Sequence, residues 1–134
     1  MKNLEVSNFM TEKSIYFTKE MTVERAVKKL LNSKYIGGPV LDDSGRVIGW
    51  LSEQDCLKKM IASSYYCQQV ALVADAMVPE GLTVKANMSV FELGQLMLQQ
   101  KPKIYPVVDN DNKLLGMITR KNVLAAMSEQ LESC

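Results

Sequence analysis

Apolar positions recur along this chain with two alternating spacings. Val23, Ala26, Val27, Leu30 and Leu31 fall at helical intervals behind Thr22, and Val90, Leu93, Met97 and Leu98 do so behind Ser89. Each set predicts a helix with one buried face, opened by a hydroxyl cap. Pro39-Val40-Leu41 and Val47 to Leu51 are short apolar runs parted by Asp42-Asp43-Ser44-Gly45. Pro106-Val107-Val108 and Leu114 to Ile118 are parted by Asp109-Asn110-Asp111-Asn112. Each pair predicts a hairpin with a buried face. Ile15-Tyr16-Phe17 and Leu82-Thr83-Val84 are candidate first strands. A closing helix follows Ser52 or Thr119, carrying Leu57, Met60 and Ile61, or Val123, Leu124 and Met127.

The two halves of this pattern are one pattern written twice. A slide of 67 residues lays Met10 on Met77 and continues without a gap to Met60 on Met127. Identical pairs include Met21/Met88, Val23/Val90, Leu31/Leu98, Pro39/Pro106, Val40/Val107, Asp42/Asp109, Gly49/Gly116 and Leu57/Leu124. The chain is a tandem duplication. The predicted fold class is α/β (α+β): two β-α-β-β-α repeats, spanning residues 1–64 and 65–134 and packed about a pseudo-twofold axis as one module. Ser63 to Gln69 reads as the joining loop, and Val70 to Met77 as a short helix whose counterpart is Glu5 to Met10. Gly94, inside a helix, predicts close packing against a neighbouring backbone.

Gly49-Trp50-Leu51-Ser52-Glu53-Gln54-Asp55 concentrates the candidate chemistry. An apolar strand ends at Leu51, Ser52 is a helix N-cap, and Asp55 lies in the first turn. Ser-x-x-Asp has two readings at such a junction. One is a cap with a helpful first-turn charge. The other is a ligand site, where free N–H groups and the positive helix end favour an anion and the carboxylate accepts hydroxyl hydrogen bonds.

Composition removes several alternatives. The 134 residues are 47% hydrophobic, enough for one core or two small halves. With 16 basic and 15 acidic residues, net charge is +1, and no strong field draws the chain to nucleic acid or an anionic membrane. Lys28-Lys29 and Lys58-Lys59 read as solvated helix faces. Histidine is absent, which removes Cys-His and Ser-His-Asp catalysis and the usual zinc sites. Cys56, Cys67 and Cys134 have no metal-like spacing and follow no signal peptide, so a reduced cytoplasm is expected. No apolar run approaches the ~20 residues of a membrane span. Asp109-Asn110-Asp111-Asn112 lacks the later ligands of a calcium loop and reads as a hairpin turn. Met21, Met60, Met88, Met97 and Met127 read as core packing, and Trp50 as a sheet residue.

The paired units resemble a tandem of CBS (cystathionine-beta-synthase-type) domains, a stand-alone Bateman module, over about Val6 to Ser128. The resemblance rests on Gly37-Gly38-Pro39-Val40 and Tyr105-Pro106-Val107, the acidic turns, and two copies of Gly, two apolar residues, Ser/Thr-x-x-Asp/Asn. It implies a non-enzymatic sensor that binds an adenosine-containing ligand (AMP, ADP, ATP or S-adenosylmethionine) between the repeats. No obligatory cofactor or metal is implied. It also implies a homodimeric disk and an unidentified protein partner, with neither nucleic-acid binding nor membrane insertion.

Carried over by position, the first cleft would take Leu51, Ser52 and Asp55 with Leu82, Thr83, Lys103, Pro106 and Lys121. Asp55 would hold the ribose and the lysines the phosphate. The second and weaker cleft would take Thr119 and Asn122 with Ile15, Ile36, Pro39 and Gln54, where Asn replaces the acid and no cation stands. One nucleotide per chain, in the first cleft, is the expectation. A ligand-independent interaction module acting through its dimer surface is the alternative.

Overall fold

Thr22 and Ser89 stop an extended backbone and start a helix, and a computed structural model of the chain shows how. It describes residues 4–12, 14–66, 70–100 and 102–133. Thr22 Oγ1 accepts from Arg25 N at 3.1 Å and opens α1 (Val23–Leu31); Ser89 Oγ accepts from Phe91 N at 3.1 Å and opens α4 (Val90–Gln99). Glu24 in the first turn and Lys28 and Lys29 in the last match the macrodipole of α1. Val23, Ala26 and Leu30 are its buried face. Leu31 and Leu98, expected inside, are exposed because each stands about 100° round the helix from the inward residue before it, buried Leu30 and half-buried Met97.

The hairpins form as expected. β2 (Gly37–Leu41) pairs antiparallel with β3 (Val47–Ser52), Val40 opposite Gly49, and β6 (Ile104–Val108) with β7 (Leu114–Thr119), Val107 opposite Gly116. Asp42 Oδ1 accepts from Ser44 N and Arg46 N, both at 2.9 Å, while Gly45 takes φ +85°. Asp109 Oδ1 repeats this with Asp111 N and Lys113 N, and Asn112 adopts φ 64°. These bonds hold both carboxyls below the ordinary aspartate range. The first strands are shifted slightly from expectation: β1 is Phe17–Thr18 and β5 is Val84–Lys85, each parallel to the hairpin beside it.

Several expectations need correction. α2 runs Glu53–Tyr66, so Ser63 to Tyr66 is helix and not loop; Cys67 to Gln69 lie outside the described residues, as does Cys134. No Gly or Pro interrupts this stretch, and serine weakens a helix by only a few tenths of a kcal/mol. The short helix α3 is a single turn, Val73–Ala76, and Val78–Pro79 is instead a strand, β4, on the outer side of β3. Its N-terminal counterpart is a 3-10 turn at Val6–Asn8. On α2 and on α5 (Arg120–Glu132) the buried face is read one position off. Cys56, Val123 and Ala126 are buried, whereas Leu57, Met60, Ile61 and Leu124 are exposed. Among the described residues Gly94 has only Val123 Cγ1 near, 3.6 Å from an added Cβ, and none of them brings a neighbouring backbone to it. Trp50 is half-buried in its sheet, paired with Pro39 and Val78.

The chain forms two units that are not the two repeats. One is Ile15–Gly81; the other joins the described residues of Met1–Ser14 to those of Leu82–Cys134. The segment leading each repeat therefore completes the unit of the other repeat. In the second unit Val6 N donates to Met88 O and Ser7 N to Ala86 O, each at 2.9 Å, and Thr11 and Met117 exchange both backbone bonds. In the first, Val73 N donates to Met21 O at 2.8 Å, Ala74 N to Lys19 O at 3.0 Å, and β4 pairs with β3. These straps explain the motif glycines. A Cβ on Gly116 would stand 2.4 Å from Thr11 O, and one on Gly49 2.8 Å from Val78 O.

The cores share a plan with exchanged parts. Phe17, Val23, Ala26, Leu30, Val40, Leu51, Cys56 and Val73 fill the first, and Val6, Val84, Val90, Leu93, Tyr105, Val107, Ile118, Val123 and Ala126 the second. Met21 packs against the first core, and Met88, Met97 and Met127 against the second.

Candidate functional site

β3 delivers Ser52 to the start of α2, where three hydrogen bonds lock it to Asp55. Ser52 N donates to Asp55 Oδ2 at 3.0 Å, Ser52 Oγ to the same oxygen at 2.7 Å, and Asp55 N to Ser52 Oγ at 3.1 Å. This is a reciprocal capping box. It occupies Oδ2 and leaves Oδ1, among the described residues, without a hydrogen bond. Glu53 N donates to Ile36 O at 2.9 Å, so the loop before β2 is tied to the same helix start. Two of the helix's first donors are thus already taken, fewer free N–H groups than a helix start offers in isolation. The first unit gathers Ile36, Ser52, Gln54 and Asp55, with Ile36 exposed and Ser52 and Asp55 half-buried.

The second unit builds the same junction with different chemistry. Thr119 N donates to Asn122 Oδ1 at 2.9 Å, and Asn122 N to Thr119 Oγ1 at 3.1 Å. Arg120 N donates to Lys103 O at 2.8 Å, the twin of the Glu53 to Ile36 bond. This unit gathers Lys103, Thr119, Lys121 and Asn122, both lysines exposed. With its carbonyl oxygen in the cap, the free end of Asn122 is an NH2 donor, whereas the free end of Asp55 is an acceptor.

Arg120 was not among the residues singled out from the sequence. Glu24, Glu53 with Asp55, and Glu92 open α1, α2 and α4, but α5 opens with Arg120-Lys121 and has no acid in its first turn. A cation pair set against the helix dipole was the available signal. With Lys103 it makes a three-cation group on one unit.

The remaining predicted residues are distributed as follows. Leu51 is fully buried in the first core, backbone included, so it is closed to a ligand. Pro39 and Pro106 are buried within β2 and β6, opposite Trp50 and Met117. Leu82 is exposed and Thr83 half-buried ahead of β5, while Ile15 lies against Gly38. The first unit therefore holds Leu51, Ser52, Asp55, Ile15, Ile36, Pro39 and Gln54; the second holds Leu82, Thr83, Lys103, Pro106, Lys121, Thr119 and Asn122.

Lys29, read from sequence as solvated, is half-buried. Its Nζ donates to Tyr16 O and lies 4.7 Å from the Tyr16 ring centre and 5.4 Å from that of Phe17. Desolvation, then the charge of Arg25, lowers its pKa. The Cys56 thiol beneath Asp55 is pushed up, first by burial and then by the charges of Asp55 and Glu53, which leaves it unreactive.

A family model for the CBS domain matches the chain twice, at residues 6–62 and 73–129. The chloroplastic CBS domain-containing protein CBSX2 of Arabidopsis thaliana is 29% identical over 152 residues, covering 90% of this chain and 62% of that protein. The chain thus spans about three-fifths of that relative's length. The crystal structure of the CBSX2 pair superposes with a TM-score of 0.82 at 30% identity, over 99% of each chain. The structure of CBSX2 in complex with AMP gives 0.80 at 30% identity, covering 93% of this chain and 96% of that one. The cytosolic domain of the Mg2+ channel MgtE in complex with ATP gives 0.76 at 26% identity, covering 92% of this chain and 49% of that one.

Proposed function

The chain belongs to the CBS-domain family as a tandem pair, and from that premise we propose that it is a non-catalytic regulatory module whose ligand is an adenine nucleotide. The observation that carries this reading is the unequal pair of junctions. The first unit offers an acceptor, Asp55 Oδ1, and an exposed apolar residue, Ile36, whose carbonyl is tied to the same helix start, as a ribose and base require. The second offers donors and cations, Asn122, Lys103, Arg120 and Lys121, as phosphate requires. Both kinds of chemistry occur in a nucleotide, which carries a ribose and base as well as phosphate. The complexes of CBSX2 with AMP and of the MgtE domain with ATP support the assignment.

The three cations favour a phosphorylated nucleotide over S-adenosylmethionine, whose sulfonium would meet like charge. Ser52 and Asp55 on the first unit, and Leu82, Thr83, Lys103, Pro106 and Lys121 on the second, are the proposed ligand residues. A bound ligand shifts the chain between conformations only by the difference in its affinity for them. The change is then read by a protein partner through a homodimer. A reducing compartment such as the cytoplasm is the proposed setting. Among the described residues no helix is long and apolar enough to cross a membrane.

Asp55→Asn tests the reading. Asn122 shows that asparagine makes both backbone bonds of the capping box, so the substitution keeps those two bonds, weakens the one from Ser52 Oγ by removing the carboxylate charge, and turns the free end from acceptor to donor. The expected result is a melting temperature lowered only slightly without ligand and AMP, ADP or ATP affinity lowered roughly ten- to a hundredfold in calorimetry. Equal affinity in both proteins would reduce Asp55 to a cap. Wild type that binds none of the three at millimolar concentration would favour the ligand-independent interaction module, a reading supported by the engagement of Ser52 and Asp55 with each other.

A further inference from the structure

Trp50, the one tryptophan of the sequence, reaches along its sheet toward the junction that holds Ser52 and Asp55. Positions alternate along β3, with Val47, Gly49 and Leu51 buried on one face and Ile48, Trp50 and Ser52 half-buried on the other. The indole therefore shares a face with the capping box. A Cβ on Gly37, whose backbone pairs with Ser52, would stand 2.9 Å from both Trp50 Nε1 and Leu51 O, and one on Gly81 would stand 3.2 Å from Trp50 Cβ. Neither glycine has a positive φ, so what each supplies is room for its neighbours, the indole among them. The second unit carries Ile104 and Met117 at the positions of Gly37 and Trp50, and Met117 is fully buried where Trp50 is half-buried. Of the two units, the first alone lays an aromatic ring beside its junction.

A tryptophan in a sheet ordinarily buries its rings and hydrogen-bonds its N–H. Among the described residues the N–H of Trp50 has no partner, and unlike the Tyr105 hydroxyl it is not closed off. Aromatic surface and an open donor thus border the junction whose free acceptor is Asp55 Oδ1. We infer that Trp50 is the base-contacting residue of the first unit, the purine stacking on the indole while Asp55 takes the ribose. The inference rests on the nucleotide reading above and names the residue that recognises the base. Stacking asks only for an accessible ring beside the sugar site, and every base has a face that can meet it.

Fluorescence of the full chain tests this, because Trp50 can be excited apart from the tyrosines. AMP and ATP should quench its emission, saturating at the dissociation constant found by calorimetry, while ribose 5-phosphate, which lacks the base, should leave it unchanged. Trp50→Met, which installs the residue of the twin position, should lower AMP affinity roughly tenfold or more. Trp50→Phe keeps a smaller ring and should fall between. The wild-type titration needs no variant, so it decides even where Trp50→Met fails to fold. AMP binding in calorimetry with unchanged emission, and with equal affinity in Trp50→Phe, would overturn the inference and leave the nucleotide reading standing. Quenching by ribose 5-phosphate would overturn it as well, since the base would then be unnecessary. Wild type that binds no nucleotide in calorimetry would overturn the reading of function and the base contact with it.

Discussion

In the first unit a phenyl ring from β1 lies over a strand residue with no side chain: Phe17 Cε2 would stand 3.1 Å from a Cβ on Gly38. In the second unit the position of Phe17 is taken by Val84 and that of Gly38 by Tyr105, and both are buried in the same core. One aromatic ring fills each unit, delivered from opposite strands. The exchange is not free of consequence. The Tyr105 hydroxyl is buried without a partner among the described residues, and desolvation raises its pKa. An aromatic ring was kept in each core while its strand and its polarity were not, as expected of cores that demand filling before they demand a particular residue.

The junctions diverge in the opposite sense. Both keep the capping box and the backbone bond from the helix start to the loop before the hairpin, but the free atoms differ: acceptor and apolar in one, donor and cationic in the other. Backbone geometry is the shared inheritance, and ligand chemistry is where the copies separated.

The largest expected effect on this comparison comes from Gly116→Ala. The new Cβ would meet a backbone oxygen that cannot move without giving up the Thr11 and Met117 bonds, so the second unit should lose about 3 kcal/mol or more in denaturant unfolding. Gly49→Ala, with 2.8 Å of clearance against 2.4 Å, should cost less. Equal costs would mean that the straps do not define the glycines. A smaller effect of opposite sign is expected for Tyr105→Phe, which removes an unpartnered hydroxyl and should raise stability by about 1 kcal/mol. A loss of stability there would reveal a partner for that hydroxyl and weaken the account of the exchange. The smallest is Gly94→Ala. Val123 Cγ1 at 3.6 Å leaves room for the methyl group, so the helix should gain up to about 1 kcal/mol, seen as a rise in melting temperature. An unchanged or lower melting temperature would mean that α4 needs the glycine after all.

Local rules carried a reader of the sequence far along this fold. Hydroxyl caps at Thr22, Ser89 and Thr119, aspartate turns at Asp42 and Asp109, and the repeat itself were legible because each depends on residues within a few positions of one another. So was the pairing of Ser52 with Asp55, whose separation of three residues brings the two side chains together. Arg120 was overlooked because a charge in a helical first turn gains meaning only when compared with the other helices.

What the sequence by itself determined is the list of elements, the duplication and the chemistry at each helix start, since these follow from spacing and side-chain type. Tertiary structure alone decided three further things. It settled which side of α2 turns inward, because Cys56 and Leu57 are both apolar and only packing against α1 and the sheet selects one. It settled that residues 4–12 complete the second unit and Val73–Ala76 with β4 the first, because a strand's partner is chosen by an open sheet edge and not by nearness in the chain. And it settled why glycine stands at 49 and 116, because the constraint is a backbone arriving from elsewhere, on which neighbouring residues carry no information.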